Sequence, residues 1–298
     1  MTRSGGAARK GILLAGGAGT RLHPMTRMIS KQLLPVYDRP MACYPLATLL
    51  ALGMREILVI TTPEDRSRFE RLLGDGSALG IRLAYAEQAQ PRGLAEALLL
   101  ARGFLAGSPA CLVLGDNLFH GPGFVEQVRV ASQRTQGATV FAARVERPER
   151  YGVAELDSTG SLLRIVEKPA RAPSPWAITG LYLYDASAPD RAATLRPSAR
   201  GQLEITDLNN LYLAQGALVL ERLPDTVAWH DMGTPDSLLD AAAGVRAAER
   251  ASGRKLGCPE AEAYAQGWID RAQLLRLAEG LEGTPYGEAL RRLAGGAR

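Results

Sequence analysis

Residues 11–22 read GILLAGGAGTRL, a short apolar run that passes directly into a glycine-rich loop. An apolar run of this length, bounded by a turn signal, is typical of a buried strand. Glycines at that point let the backbone approach a phosphate or a base closely, and successive backbone N–H groups can bind an anion. The stretch therefore predicts a strand that ends in an anion-binding loop, with Arg21 in reach of a phosphate oxygen.

Two other glycine motifs fit this loop less well. A P-loop would end in Gly-Lys-Ser/Thr, but Leu22 follows Arg21. A dinucleotide fingerprint needs a third glycine where Leu22 stands, and this opposes a Rossmann oxidoreductase. A plain turn between a strand and a helix remains open from the glycines alone.

Apolar runs and helical patterns alternate through the first half of the chain. Strands are predicted over residues 11–15, 56–61, 81–86, 110–114 and 138–144, and helices over residues 41–52, 63–73, 94–105 and 123–135. This alternation predicts an α/β fold with a Rossmann-like, doubly wound, mixed and mainly parallel sheet. Ligands bind such sheets at the carboxyl ends of the strands. The loops after residues 15 and 114 should therefore lie on one edge of the sheet.

The pattern changes after about residue 150. Strands are predicted over residues 151–156, 162–167, 178–184, 217–223 and 226–229, and helices over residues 203–215, 235–251, 259–266, 271–277 and 285–293. We expect a flexible tail over residues 1–8, a catalytic domain over 9–252 and a helical segment over 253–298. Within the catalytic domain, a first half covers about 9–145 and a second lobe covers about 146–233.

Composition excludes several classes of protein. The net charge of +4 is spread along the chain without a Lys/Arg run, which argues against nucleic-acid binding. No apolar stretch is long enough to span a membrane, and no signal peptide is expected. The three cysteines do not form a C-x-x-C, so we expect a reduced, cytoplasmic compartment. The three histidines have no metal-ligand spacing.

Two aspartates follow predicted strands on the expected ligand-binding edge. Asp116 ends a strand in LGDN, and Asp231 follows another in WHDMGT. Mg²⁺ takes few protein ligands and keeps phosphate oxygens and waters as the others, so two carboxylates suffice. A simpler role for Asp116, capping the next turn, remains open from the residues alone.

Several motifs in order resemble the sugar nucleotidyltransferases. The glycine loop extends to GGxGTRLxPxT, SKQLLP follows at 30–35, and EKP stands at 167–169. The spelling SKQLLPVYDRPM resembles the glucose-1-phosphate thymidylyltransferase branch. The resemblance implies the nucleotide-diphospho-sugar transferase fold, with a nucleotide half and a sugar lobe. It also implies dTDP-glucose and pyrophosphate synthesis from dTTP and α-D-glucose 1-phosphate, the first step towards dTDP-deoxysugars such as dTDP-rhamnose.

The resemblance also implies roles for individual residues. Catalysis falls to Arg21, Asp116 and Lys168, and the Mg²⁺ site to Asp116 and Asp231. Nucleotide binding falls to Leu14, Gly16, Gly17, Gly19, Thr20, Arg21, Lys31, Gln32, Gln88, Pro91, Gly93 and Asp116. Sugar-phosphate binding falls to Asn117, Gly152, Glu167, Lys168, Ile178, Thr179, Tyr182 and Glu204. Arg92 departs from the family pattern, which commonly has an acid there.

Two alternatives to this activity remain open. The role of the C-terminal segment also has two interpretations. The enzyme could use UTP or another sugar 1-phosphate, or the chain could be a non-catalytic nucleotide-sugar sensor. A sensor should lack Arg21, Lys168 or an aspartate, yet all are present. Residues 258–270 resemble the tail of short thymidylyltransferases, which implies a homotetramer and feedback by a dTDP-sugar at a subunit interface. A helical cap without a regulatory role is the alternative.

Overall fold

The computed structural model describes residues 8–17 and 19–296. The tail predicted over residues 1–8 lies outside these ranges except for Ala8, which is exposed. Within them the chain forms thirteen strands and eleven α-helices, joined by turns and short 3₁₀ segments. This content agrees with the α/β class predicted from the alternating pattern.

The strands are labelled in chain order: β1 Lys10–Leu14, β2 Pro35–Val36, β3 Arg39–Pro40, β4 Glu56–Thr61, β5 Arg82–Glu87, β6 Ala110–Leu114, β7 Asn117–His120, β8 Ala138–Arg144, β9 Gly152–Leu156, β10 Leu162–Glu167, β11 Trp176–Tyr184, β12 Leu218–Arg222 and β13 Ala228–Asp231. The helices are α1 Cys43–Ala51, α2 Pro63–Leu73, α3 Glu96–Leu100, α4 Arg102–Leu105, α5 Phe124–Ser132, α6 Ala188–Ala193, α7 Ile205–Ala214, α8 Pro235–Ser252, α9 Pro259–Ala265, α10 Arg271–Glu279 and α11 Pro285–Ala294.

One twisted sheet organises the molecule. Its strands run in the order β5-β4-β1-β6-β11-β8-β12, and the β9–β10 hairpin joins the amino-terminal half of β11. All of these main strands are parallel except β11, which is antiparallel to both β6 and β8. The second lobe is therefore built onto the same sheet, and the mixed, mainly parallel prediction is confirmed.

The sheet is buried on both faces, as its apolar strands require. In β1 the side chain of Leu13 packs into one core with α1, α5 and the C-terminal helices. Ile12 and Leu14 point the other way, into a core that includes α3, α6 and α7. Successive residues of a strand face opposite sides, so an apolar run such as GILL serves two cores.

A short ribbon stands apart from the main sheet. β7 pairs antiparallel with β13, and Asp231 lies opposite Asn117 in the register. The sequence pattern did not predict β7, α6 or the small β2–β3 pair. These elements are only two to six residues long, too short for periodicity to reveal them.

One predicted helix was wrong in extent. Residues 94–105 form two short helices, α3 and α4, that meet at Ala101. Gly103 lies just beyond the junction, and glycine in a helix interior lowers helical stability. The other predicted helices and strands match those of the structure to within about three residues at most ends.

The C-terminal helices pack against the first half of the chain. The side-chain amide of Gln266 donates to the carbonyl oxygens of Leu50 (3.2 Å) and Ala51 (3.0 Å) at the end of α1. Cys258, Leu274 and Leu290 lie in the same core as α1. Among the described residues, no helix combines the length and apolar character needed to cross a membrane.

Candidate active site

The two loops expected on one edge of the sheet do lie side by side. β1 and β6 are parallel neighbours, with Leu14 opposite Leu114. The backbone N–H of Gly115 then donates to the carbonyl of Leu14 (2.8 Å), which closes the edge between the loops. Leu14 itself is a core residue, and its carbonyl is used within the sheet. The edge prediction is confirmed.

Buried side chains hold the glycine loop in shape. Gly17 and Gly19 have φ angles of 115° and 57°, in the region that favours glycine. The Thr26 hydroxyl donates to the Gly19 carbonyl (2.7 Å), and the Gln32 amide donates to the Gly16 carbonyl (3.2 Å). Ser30 in turn donates to Gln32 Oε1 (2.6 Å). Gln32, predicted at the nucleotide, is thus a buried support of the loop.

A cavity of about 460 Å³ opens beside this loop. Its walls are formed by Gly17, the segment from Thr26 to Ser30, the first turn of α2, and the segment from Gln88 to Pro91. Gly93 closes the latter loop with a φ of 103°, and a Cβ there would come within 2.3 Å of the Leu203 carbonyl oxygen. Only glycine fits that position.

Arg92 does not enter this cavity. Its side chain is exposed, and its Nε lies 3.4 Å from Oε1 of Gln90, a residue of the cavity wall. Its backbone N–H also donates to the Gln90 carbonyl (2.8 Å). At this position, where the family pattern commonly has an acid, the Arg92 side chain therefore contacts the cavity wall only through Gln90.

The ribbon brings the two candidate metal ligands together. The backbone N–H of Met232 donates to the Asp116 carbonyl (2.9 Å), so the end of β13 lies against the end of β6. Lys31 forms an ion pair with Asp116 Oδ2, and the Asn117 amide donates to Asp116 Oδ1 (2.9 Å). Each carboxylate oxygen of Asp116 therefore has a donor within the protein.

The two carboxyl groups differ in their pKa values. Burial opposes ionisation of Asp116, but the Lys31 ammonium and the Asn117 amide outweigh it and hold the Asp116 pKa below its usual value. Burial, and next the negative charge of Asp116, raise the pKa of Asp231 to about 6. The Lys31, Arg21 and Arg150 cations lower the Asp231 pKa in part, but they do not outweigh burial and the charge of Asp116.

Asn117, predicted at the sugar, is the hub of this arrangement. Its Oδ1 accepts hydrogen bonds from the Gly180 N–H (3.0 Å) and from Trp229 Nε1 (2.6 Å), while its Nδ2 donates to Asp116. A Cβ at Gly180 would lie 2.7 Å from the Asn117 side chain, so glycine lets β11 approach. Asn117 thereby fixes the orientation of a carboxylate.

A second cavity, of about 220 Å³, lies on the other side of the aspartates. The predicted site residues along its wall are Arg21, Asp116, Asn117, Gly152, Glu167, Lys168, Ile178, Thr179, Tyr182 and Asp231. Residues from β6, β9, β10, β11 and β13 thus converge on one space. Arg21 reaches it because Gly233 has no side chain: a Cβ there would lie 2.5 Å from Arg21 Nη2.

The EKP motif provides an acid held by hydrogen bonds and, 3.5 Å from it, an exposed cation. Glu167 accepts from the Thr206 hydroxyl (2.6 Å) and from Arg200 (3.1 Å). Burial would raise the Glu167 pKa, but these two donors outweigh it and keep that pKa below its usual value. Lys168 is exposed and has a φ of 41°, a strained conformation for a residue with a side chain. Its N–H donates to the Tyr151 carbonyl (2.9 Å).

Two buried polar atoms on this wall have no partner in the described chain. Thr179 Oγ1 and Asn209 Nδ2 make no hydrogen bond, although both residues are almost fully buried. Buried polar groups are nearly always satisfied, so each of these atoms requires a ligand or water partner. Both residues line the cavity, which indicates a polar occupant.

Several predicted site residues lie outside both cavity walls: Leu14, Gly16, Gly19, Thr20, Lys31, Gln32, Gly93 and Glu204. Glu204 stands outside both cavity walls, where it accepts from Ser198 (2.7 Å) and Arg200 (3.2 Å). It therefore acts through Arg200, which bridges to Glu167. Lys31, predicted at the triphosphate, is engaged with Asp116.

Sequence reasoning missed several residues of the smaller cavity. These are Leu94, Leu114, Arg150, Tyr151, Gly180, Ile205, Thr206, Asn209 and Trp229. Most lie within one or two positions of a motif that was noticed, as Arg150 and Tyr151 do beside Gly152. Asn209 gave no signal, because it lies inside a helix without a motif.

The donor set of the two aspartates fits Mg²⁺. Both ligands are carboxylate oxygens, which a hard cation prefers, and Mg²⁺ commonly binds through one or two carboxylates plus phosphates. Within residues 8–17 and 19–296, no group of three or more acidic, His or Cys side chains could hold a metal alone. The site therefore fits a cation that arrives with phosphate ligands.

Comparison with known proteins agrees with this geometry. The model of the family described as "Nucleotidyl transferase" matches residues 10–248. The chain belongs to this family. The matched range includes every residue of the two cavity walls.

Curated relatives extend the similarity to almost the whole chain. A glucose-1-phosphate thymidylyltransferase of Xanthomonas campestris pv. campestris is 53% identical over 96% of this chain and 97% of its own length. The same enzyme of Neisseria gonorrhoeae is 49% identical over 96% and 99%. That of Mycobacterium tuberculosis is 48% identical over 95% and 98%. These matches include the C-terminal helices.

Solved structures share the fold. A Bacillus anthracis structure with bound sucrose, assigned as a glucose-1-phosphate thymidylyltransferase, is 38% identical with a TM-score of 0.75. It covers 80% of this chain and 96% of its own. A UDP-glucose pyrophosphorylase with bound UDP-glucose is 23% identical with a TM-score of 0.70, covering 81% and 99%. The second match shows the fold alone.

Proposed function

We propose that the chain transfers a thymidylyl group from dTTP to α-D-glucose 1-phosphate, giving dTDP-glucose and pyrophosphate. This would be the first step in making dTDP-deoxysugars. One observation carries the proposal: a single cavity brings Arg21, Asp116, Asp231, Glu167 and Lys168 together at the edge of the sheet. Membership of the nucleotidyl transferase family and the curated relatives support it.

The reaction needs no protein nucleophile. A phosphate oxygen of glucose 1-phosphate attacks the α-phosphorus of dTTP, the new O–P bond forms, and the bond from the α-phosphorus to the bridging oxygen breaks. Pyrophosphate carries away the electron pair. The second pKa of a phosphate monoester lies near ~6, so the attacking group is already ionised at neutral pH. Catalysis is then a matter of position and charge.

Two cations of the site, Arg21 and Lys168, can position the phosphates and neutralise their charge. The Arg21 guanidinium offers a planar fork at the exit of the glycine loop, suited to the α-phosphate and the leaving group. The Lys168 ammonium is exposed at the cavity, 3.5 Å from Glu167 Oε1. We assign it to the phosphate of the sugar substrate, which it would hold in line for attack.

Polar groups deeper in the cavity suit the sugar. Glu167 keeps its charge and can accept from a hydroxyl, and Gly152 beside it leaves room for a flat ring. Thr179 and Asn209 supply unpartnered polar atoms. We assign these groups, with Ile178 and Tyr182, to the glucosyl moiety, and the larger cavity with Gln88 and Pro91 to the nucleotide.

We assign Mg²⁺ to Asp116 and Asp231. When bound, the ion would supply positive charge to the triphosphate and to the departing pyrophosphate. Lys31 shares Asp116 with that site, so its ammonium is near enough to assist the triphosphate as well. Asn117 keeps the Asp116 carboxylate in orientation.

The C-terminal segment carries a separate proposal. We infer that residues 253–298 take part in a homotetramer and in feedback by a dTDP-sugar between subunits. The support for this segment is the resemblance of residues 258–270 to the tail of the short thymidylyltransferases. The exposed apolar side chains of Leu239 on α8 (70% exposed) and Val130 on α5 (53% exposed) lie outside it. Light scattering after gel filtration tests the assembly, and dTDP-rhamnose titration tests the feedback.

The activity is tested by pyrophosphate release. The assay uses dTTP and each of the four NTPs with a panel of sugar 1-phosphates, with Mg²⁺ or with EDTA. We expect release with dTTP and glucose 1-phosphate that requires Mg²⁺. Release with UTP alone would reassign the nucleotide, and no release with any pair would refute the enzyme.

A further inference from the structure

Gln88 lies in the wall of the larger cavity, which we assign to the nucleotide. It follows β5, and its backbone N–H donates to the Thr61 carbonyl (2.8 Å), which fixes the main chain there. Its side chain is buried and forms part of the cavity wall. What a base meets at this point depends on which end of the amide faces it.

Two acceptors determine that orientation. Gln88 Nε2 donates to Glu96 Oε2 (2.8 Å) and to the Gly93 carbonyl (3.2 Å). A primary amide has two N–H groups, so both are used. A flipped amide would set its oxygen against a carboxylate and a carbonyl, leaving three acceptors without a donor. Glu96 thus prevents the flip.

The amide oxygen is then the group that is left for a ligand. Gln88 Oε1 lies over the glycine loop, 3.1 Å from the position that a Cβ of Gly16 would take. An amide oxygen only accepts hydrogen bonds. Thymine and uracil carry a hydrogen on N3, whereas N3 of cytosine is an acceptor. Where Gln88 Oε1 meets the base at N3, the locked amide therefore matches the first two bases and opposes the third.

We infer that Glu96 is a specificity-determining positioning residue: it fixes the Gln88 amide so that the site selects thymine or uracil nucleotides against cytosine nucleotides. This inference rests on the proposed function, because it takes the larger cavity as the nucleotide site. Glu96 acts through Gln88 and does not touch the base. It begins α3, so the helix holds its carboxylate in place.

The test compares binding of dTTP and dCTP, each with Mg²⁺, by titration calorimetry. Glu96→Ala and Glu96→Met remove the acceptor and allow the amide to flip. We expect the ratio of the two dissociation constants to fall by about 10- to 100-fold, as for loss of a charge-assisted hydrogen bond. Glu96→Gln keeps an acceptor and should retain the ratio within about threefold. Glu126→Ala, in the first turn of α5, is the matched control.

Each outcome decides the question. An unchanged ratio in folded Glu96→Ala or Glu96→Met overturns the inference, and so does an equal loss in Glu96→Gln. The methionine variant keeps the length and helix preference of the side chain, so at least one acceptor-free variant should fold. Thermal unfolding of each variant verifies this.

The binding assay also separates this inference from the proposed reaction. If the protein binds dTTP selectively but releases no pyrophosphate, the proposed function fails and Glu96 is still tested. If the protein transfers nucleotides but the ratio of the dTTP and dCTP dissociation constants is the same in the Glu96 variants as in wild type, only the inference fails. Wild-type protein that binds neither nucleotide overturns both.

Discussion

Asp231→Asn should make the metal-free protein more stable while removing its activity. The Asp231 carboxyl is half-buried beside Asp116, and its pKa is raised to about 6. Asparagine keeps the shape of the side chain and has no charge to bury. It also loses a carboxylate that we assign to Mg²⁺, so pyrophosphate release should fall to background.

The size of the gain follows from the pKa. A carboxyl whose pKa rises from 3.8 to about 6 on folding opposes folding, once ionised, by about 3 kcal/mol, since one pKa unit is worth about 1.4 kcal/mol. Neighbouring side chains relax in the variant, so we expect a gain of about 1 to 3 kcal/mol in the free energy of unfolding at pH 8.

The gain must depend on pH in one direction. A folded-state pKa above the unfolded value stabilises the protein below about pH 4, and this contribution is lost as pH rises through about 6. The wild-type protein loses this contribution to its stability as the pH rises, whereas the stability of the asparagine variant does not change for this reason. The difference between them should therefore be near zero at pH 4 and maximal above pH 7.

Urea unfolding in EDTA, followed by circular dichroism from pH 4 to pH 8, measures the difference. Asp236→Asn is the matched control, because Asp236 is exposed in the first turn of α8. Loss of its favourable helix-terminus charge should cost about 0.3 to 1 kcal/mol, the opposite sign. The reasoning would be refuted if Asp231→Asn is no more stable than wild type at pH 8, or if its gain in the free energy of unfolding is the same at pH 4 and pH 8.

Three other substitutions test the smaller cavity. Arg21→Ala should lower kcat by about 10³-fold, as for loss of a strong transition-state donor, with the thermal midpoint unchanged because the side chain is exposed. Thr179→Val removes an unpartnered buried hydroxyl, so stability should hold or rise by about 1 kcal/mol while KM for glucose 1-phosphate rises about 10-fold. Lys168→Gly should be about 1 kcal/mol more stable than Lys168→Ala, since glycine accepts a φ of 41°, and both should lose turnover.

Pyrophosphate release and chemical unfolding measure all three. Arg102→Ala, on a surface ion pair with Asp190, is the control for Arg21. Normal turnover in Arg21→Ala, a stability loss in Thr179→Val, or equal stability of the two Lys168 variants would each contradict the assigned cause.

The central strands were predictable because a strand that is buried on both faces needs apolar residues at consecutive positions, and such a run is visible in the sequence. β4, β6 and β8 matched their predicted ranges, and the parallel order of β1 and β6 placed both loops on one edge. The ribbon was not predictable in the same way. β7 (NLFH) is four residues long, mixes an amide, an aromatic ring and a His, and was not predicted. β13 (AWHD) is equally short, and the strand predicted over residues 226–229 missed its last two residues.

The site was predictable as motifs but not as contacts. Nothing in the spelling of LGDN and WHDMGT indicates that Met232 would bond to Asp116; that contact depends on the register of the ribbon. Likewise the unpartnered atoms of Thr179 and Asn209 exist only because β11 and α7 pack together at the cavity. Local sequence carries the residue type, and the packing decides which groups remain without partners.

The distribution of charge explains why the site suits a reaction between two phosphates. Lys31 neutralises Asp116, so Asp231 is the carboxylate whose charge calls for a further cation. Arg21 and Lys168 are both exposed, which leaves them available to anions. In the proposed reaction, a triphosphate that arrives with a divalent ion would supply a cation to Asp231 and an anion to Arg21, and the phosphate of the sugar would meet Lys168. Binding of the two anionic substrates would thus neutralise the charges that the described residues leave unbalanced at this site.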